Sequence, residues 1–211
     1  MKSALLIIDM QRDFMPGGPL SVPNGDLIIP KINGLMKAFP LVVATKDFHP
    51  KGHISFASSH PGKKIGELLQ VSGCMQMLWP EHCVQESRGS DFAEQLDTAH
   101  IHHVVTKGTS VDIDSYSTFF DNAHNSSTGL GEYLKSKGIT NLFVCGLATD
   151  YCVLFSVLDA LSLGFSVFVM QDVCRAVDLQ IGDEKKAYDA MQQKGARLIQ
   201  SQDAISLLQG L

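Results

Sequence analysis

Short β-type runs alternate with helical stretches along almost the whole chain, and that alternation leaves few folds open. Apolar or β-branched runs fall near residues 4–8, 41–45, 103–106, 142–145, 165–170 and 196–199. Helical patterns are expected between them near 26–38, 91–97, 128–137, 151–163 and 183–194, several closed by glycine at 138, 164 and 195. Each helix can carry the chain back to start another strand parallel to the last. The pattern therefore predicts an α/β fold, a doubly wound (Rossmann-like) sheet of about six parallel strands with helices on both faces. At 211 residues, 45% of them hydrophobic, the chain is read as one domain over 1–211. Residues 49–89 break the alternation. They are too many for an ordinary βα loop and rich in Gly, Ser, His and Pro, so they are read as a functional, lid-type insertion.

Charge and composition exclude several classes of partner. A net charge of −5 without a basic stripe gives a phosphate backbone nothing to follow, so a small-molecule ligand is expected and nucleic acid is not. No apolar run reaches the ~18 residues of a membrane span, and Leu154 to Leu163 is read as a buried helix. Five cysteines without metal-finger spacing, behind an opening strand pattern in place of a leader, suit a reduced cytoplasmic protein.

Polar residues that could carry chemistry stand just past the strand-like runs. In Gly146-Leu147-Ala148-Thr149-Asp150-Tyr151-Cys152-Val153, a thiol follows a buried strand and is expected in the first turn of a helix capped by Thr149 or Asp150. Free N–H groups and the helix dipole favour thiolate there and can hold an oxyanion. Asp9 ends the first run and Lys107 the third, and C-terminal strand ends are where open α/β sheets build their sites. A carboxylate beside a lysine can serve a cysteine nucleophile as base and acid, although a structural ion pair is the plainer reading of Asp9 alone. Asp47 and His49 alternate on an extended segment and project the same way, which is half of a metal site. His82 could supply a third ligand, and His53 a fourth or a supporting partner. Cys74, Cys83, Cys145 and Cys174 read as packing thiols. His60, His100, His102, His103 and His124 have no partners at useful spacing. A dinucleotide-binding module is set aside, because the turn after the first strand, Asp9-Met10-Gln11-Arg12-Asp13-Phe14, has no glycine.

These segments, with Asp47-Phe-His-Pro50, Trp79-Pro-Glu-His-Cys-Val84, Lys107-Gly108 and Asp114-Ser-Tyr-Ser117, resemble the nicotinamidase (pyrazinamidase/nicotinamidase) branch of the isochorismatase-like cysteine hydrolases. The match runs in order from residue 4 to about 175. The resemblance implies an amidohydrolase that converts nicotinamide to nicotinate and ammonia, through an Asp9, Lys107, Cys152 triad and a thioester on Cys152. It further implies pyridine nucleotide salvage, action on pyrazinamide, and a divalent metal (zinc, iron or manganese) on Asp47, His49 and His82, with His53 the candidate fourth ligand. A cis peptide between Leu147 and Ala148 would aim the amides of Ala148 and Cys152 at the oxyanion, and Phe14, Trp79, Tyr116 and Leu147 would line the pocket. A homo-oligomer is compatible with this reading. Val111 and Phe48 depart from the family pattern, where proline and tryptophan are usual. The rival within the family is a hydrolase of isochorismate, N-carbamoyl compounds or ureides, which needs no pyridine-binding metal.

Overall fold

The structure, a computed structural model, describes residues 2–71 and 73–210, Gln209 in backbone only. In chain order its strands are β1 (Lys2–Ile8), β2 (Val42–Asp47), β3 (Leu68–Val71), β4 (Cys74–Met77), β5 (His103–Lys107), β6 (Ile139–Leu147), β7 (Ser166–Arg175) and β8 (Arg197–Ile199). The helices are α1 (Ile29–Met36), α2 (Leu130–Ser136), α3 (Leu154–Ser162), α4 (Asp183–Gln193) and α5 (Ser201–Gly210). Six strands form one sheet in the order β5-β2-β1-β6-β7-β8, every pairing parallel. All six expected strands are present. The chain first winds from β1 through β2 to β5, then crosses back to β6 and winds outward the other way. The C-terminal ends of β1 and β6 therefore part at the sheet's switch point, where doubly wound folds hold their ligands.

Strand pleating divides the core in two. Leu5 and Ile7 of β1, with Phe143, Cys145, Phe168 and Met170, face α1 and α5; Ala4, Leu6 and Ile8, with Val144, face α2, α3 and α4. A strand covered on both faces has no polar side to show, which explains the uninterrupted run Ala4-Leu-Leu-Ile-Ile8. Gly146 lies inside β6 opposite Ile8, not at a strand exit, and a Cβ there would stand 2.1 Å from the Ile8 carbonyl oxygen. Only glycine lets β6 approach β1 this closely.

Helix expectations were met less evenly. The segment 26–38 becomes a 3-10 turn at Asp26–Ile28 followed by α1, and the segment 91–97 forms no helix. Main-chain bonds from Arg12 N–H to Asp91 O and from Ala93 N–H to Met10 O hold this segment against the loop after β1. Tertiary pairing there overrides local propensity. Two elements were not anticipated. Within the long β2–β5 connection, β3 and β4 form an antiparallel hairpin, and α5 packs Ala204, Leu207 and Leu208 on the core at helical spacing. Among the described residues, no helix is long and apolar enough to cross a membrane.

Candidate active site

Three strand ends bring the polar groups together. β5 ends at Lys107, β1 delivers Asp9, and β6 leads through Ala148 into the turn that carries Cys152. The Lys107 ammonium is fully buried and stands 2.9 Å from Asp9 Oδ2, 2.5 Å from Asp47 Oδ1, 3.0 Å from the Ser115 carbonyl oxygen and 3.2 Å from Cys152 Sγ. Asp9, Asp47 and Cys152 offer ligand atoms within 4.8 Å of one another around it. Burial opposes a charged lysine, but Asp47 and Asp9 more than offset it and push the Lys107 pKa well up.

Asp9 adopts φ +50°, a conformation uncommon for a non-glycine residue, and its carboxylate has two unlike oxygens. Oδ1 accepts a 2.6 Å hydrogen bond from the Thr45 hydroxyl, which in turn accepts the Asp9 N–H at 3.2 Å. Oδ2 is buried and has no bond of good hydrogen-bond geometry, only the close approach of Lys107. Burial, assisted by Asp47, raises the Asp9 pKa against the pull of Lys107. The carboxylate of Asp47 moves the opposite way: burial raises it, yet Lys107 and His49 together leave it strongly lowered.

The thiol does not match the expected helix start. Residues Thr149–Val153 form a single π-helical turn before α3, Ala148 stands at its N-cap position, and neither Thr149 nor Asp150 makes a side-chain cap. Asp150 instead accepts the N–H groups of Val177 and Asp178 at 3.0 and 2.8 Å, tying the turn to the segment after β7. Nor is Cys152 poised as a thiolate. Burial drives its pKa well up, and Asp9 and Asp47 add to this against Lys107. The resting group is a thiol, and its proton must leave as it attacks. The peptide between Leu147 and Ala148 is cis.

Asp47, His49 and His82 converge beside this cluster, with their ligand atoms within 4.8 Å of one another. Asp47 Oδ2 lies 3.7 Å from His49 Nε2 and 3.9 Å from His82 Nε2. Each ring donates its other nitrogen to a backbone carbonyl, His49 Nδ1 to Gly108 O at 2.9 Å and His82 Nδ1 to Pro80 O at 2.8 Å. A carbonyl can only accept, so Nδ1 carries a proton and Nε2 is the nitrogen turned toward Asp47. That arrangement is how metal-ligating histidines are held. Burial together with His49 lowers the His82 pKa to about 4, so its ring is neutral near pH 7. Two imidazoles and one carboxylate form a donor set suited to zinc and its neighbours.

His53 falls outside this triangle. Its Nδ1 accepts the Ser55 N–H at 3.3 Å, which leaves the proton on Nε2, facing the Ile113 carbonyl at 3.4 Å. Both ring nitrogens are engaged, and the ring stacks on His49 at 4.1 Å. His49, His53 and Asp114 also offer ligand atoms within 4.8 Å of one another. The surface histidines are structural or solvated: His102 Nδ1 accepts the Val42 N–H, His103 stacks on Tyr133, and His100 pairs with Asp97.

A pocket of about 420 Å³, including its open mouth, joins the two clusters. Phe14, Trp79, Tyr116, Ala148 and Cys152 line it as expected, beside Asp47, His49 and His82. Leu147 does not line it; its side chain is buried in the apolar layer next to Gly25. Lining residues that sequence reasoning missed include Leu20, Val22, Asp114, Tyr151 and Val177. Asp114 and Tyr151 had a signal, their places in the Asp114–Ser117 and Gly146–Val153 motifs. The Asp114 carboxylate accepts Gln76 Nε2 at 3.0 Å, while Gln76 Nε2 and Trp79 Nε1 both donate to the Tyr116 hydroxyl at 3.1 Å. Tyr151 packs edge-on to Trp79 at 4.9 Å.

A family model described as an isochorismatase domain matches residues 3–203. A nicotinamidase of Acinetobacter baylyi is 40% identical over 202 residues, covering 96% of this chain and 94% of that protein. A nicotinamidase of Escherichia coli is 44% identical over 199 residues, covering 92% and 93%. Among solved structures, a nicotinamidase/pyrazinamidase of Acinetobacter baumanii superposes with a TM-score of 0.94 at 43% identity, covering 96% of this chain and 98% of that one. A protein of L. infantum in complex with nicotinate gives a TM-score of 0.83 at 36% identity, covering 95% and 93%. A pyrazinamidase of Pyrococcus horikoshii in complex with zinc gives 0.77 at 36%, covering 95% and 99%.

Proposed function

This chain belongs to the isochorismatase family, and on that premise we propose that it hydrolyses nicotinamide to nicotinate and ammonia through a thioester on Cys152. The observation that carries the reading is the shared cavity: a buried thiol and its lysine and carboxylate partners open onto the same aromatic pocket as an Asp47–His49–His82 donor set. A hydrolase of isochorismate or a ureide would have no evident use for that donor set.

Each residue has a task. Cys152 Sγ attacks the amide carbon as its proton passes to Asp9, the raised carboxylate next to it. Lys107, 3.2 Å from the sulfur, stabilises the negative charge developing there and fixes Asp9 at the same time. The amides of Ala148 and Cys152 hold the oxyanion. Asp9 then protonates the departing nitrogen, the C–N bond breaks, ammonia leaves, and a thioester remains. For deacylation Asp9 takes a proton from water as it adds to the thioester carbon, then returns one to sulfur as nicotinate forms. The group that alternates is Oδ2, since Thr45 occupies Oδ1.

Asp47, His49 and His82 would hold the divalent metal, zinc by choice of ligands. When bound it supplies a Lewis-acid site for a ring nitrogen, which orients the ring between Phe14 and Trp79 with its carboxamide over Cys152. Substituting His49 or His82 by alanine should strip metal and weaken substrate binding, whereas the same change at His100 or His103 should alter neither. Metal analysis of the purified variants checks this, and full occupancy in the His49→Ala, His82→Ala double variant would contradict the ligand assignment.

Benzamide separates this reading from that of a general amidase. It has the carboxamide and the ring but no ring nitrogen, so it should be turned over at least about 10²-fold more slowly than nicotinamide, because proximity at the thiol is lost. Ammonia release from the two amides measures the ratio. Equal rates would remove the metal from substrate recognition.

A further inference from the structure

The loop that follows β1 does more than deliver Asp9. Gln11 is fully buried, and its carboxamide is bonded to the main chain of Asp47 on both sides: Asp47 N–H donates to Gln11 Oε1 at 2.8 Å, and Gln11 Nε2 donates to Asp47 O at 2.7 Å. The register explains why a side chain is needed there. β1 pairs with β2 only as far as Ile7 opposite Ala44, and the chain then turns away at Asp9, so the end of β2 that carries Asp47 loses its neighbour on that edge. A primary carboxamide presents one donor and one acceptor side by side, as a peptide unit does, and it takes the place of the missing strand residue. The second Nε2 hydrogen reaches Ser90 O at 3.0 Å, which ties the same carboxamide to the long connection.

Asp13, two residues on, makes the matching contact to the other ligands. Its Oδ2 accepts the Cys83 N–H at 2.7 Å, and the Cys83 carbonyl accepts the His49 N–H at 3.0 Å. The residue next to His82 is thus held by Asp13 through its N–H and holds His49 through its carbonyl. Cys83 is held at φ +47°, an uncommon conformation for a non-glycine residue. Around the carboxylate the space is reserved: a Cβ on Gly89 would lie 2.1 Å from Asp13 Oδ2.

We infer that Gln11 and Asp13 are positioning residues for the metal ligands, Gln11 fixing Asp47 and Asp13 fixing His49 and His82 through the main chain of Cys83. The inference rests on the metal reading above, and it predicts that metal affinity is set by residues that never touch the ion. It also gives the spacing of polar residues in this loop a physical meaning within the chain. Asp9 reaches the triad, Gln11 and Asp13 reach the ligand set, and Phe14 reaches the pocket wall, all from six consecutive residues.

The test is the zinc dissociation constant of the full-length apo-protein, obtained by competition with a chromogenic chelator, with thermal melting of each metal-free variant as the check on folding. Gln11→Leu keeps the bulk but loses both bonds, and Asp13→Ala loses the acceptor. Each should weaken zinc by about 10- to 100-fold, the range for partners that orient ligands. Asp13→Asn retains an oxygen for the Cys83 N–H and should stay within roughly threefold of the parent, a much smaller loss than the ligand-orienting range. Arg12→Ala, which removes only a surface pair with Glu94, should not change the affinity. Parent-like zinc affinity in Asp13→Ala and Gln11→Leu would overturn the inference, as would an Asp13→Asn protein as weak as Asp13→Ala. A parent protein that binds no zinc would overturn it together with the metal assignment. Loss of affinity in the variants alone supports it whatever the substrate proves to be.

Discussion

Replacing Cys152 with alanine should lower nicotinamide turnover by about 10³-fold or more while leaving the melting temperature essentially unchanged. Among the described residues the thiol is the nucleophile that faces both Lys107 and the aromatic pocket, and the change removes one buried atom without creating an unpaired charge. Lys107 keeps Asp9 and Asp47 as partners after the sulfur is gone. Steady-state ammonia release and a melting curve on the same preparation measure both parts. Near-normal turnover would end the covalent mechanism, and a collapsed melting temperature would mean that the thiol is a packing group.

Replacing Asp9 with asparagine should cost about 10²- to 10⁴-fold in kcat, the usual worth of a general acid–base group. An amide cannot take the thiol proton or pass it to the leaving nitrogen. In this site it is doubly unsuited, because if Oδ1 still accepts from Thr45 the amide nitrogen must face the Lys107 ammonium, donor against donor. The metal ligands are untouched, so bound zinc should be retained. Activity within tenfold of the parent would return Asp9 to a structural role as a buried counter-ion.

The parts of this site that were legible in the sequence are those set by strand ends. Asp9 and Cys152 follow runs of buried residues and Lys107 ends the edge strand β5, and a parallel sheet gathers the C-terminal ends of its strands on one side whatever the details between them. The Asp47–His49 pair was legible for a similar reason, since alternation on an extended segment puts both side chains on one face. Less legible were features decided by contacts that no local pattern carries. His53 has the same composition signal as His49, but Ser55 and Ile113 claim its two nitrogens. The segment 91–97 has helical spacing yet is bonded through its main chain to Met10 and Arg12 and forms no helix. Thiolate character was expected for Cys152 from a helix start, but burial, with Asp9 and Asp47 beside it, raises its pKa against the pull of Lys107. Gln11 gave no signal at all. A side chain that imitates a backbone neighbour leaves no periodicity and no charge to read.

The central claim is a nicotinoyl thioester on Cys152, and interception by hydroxylamine tests it most directly. With nicotinamide as substrate, an acyl-enzyme should partition between water and hydroxylamine, so nicotinohydroxamate should appear at the expense of nicotinate while ammonia release continues, and the Cys152→Ala protein should form neither product. Ammonia release that yields only nicotinate at every hydroxylamine concentration would contradict the thioester, and no ammonia from nicotinamide would contradict the substrate.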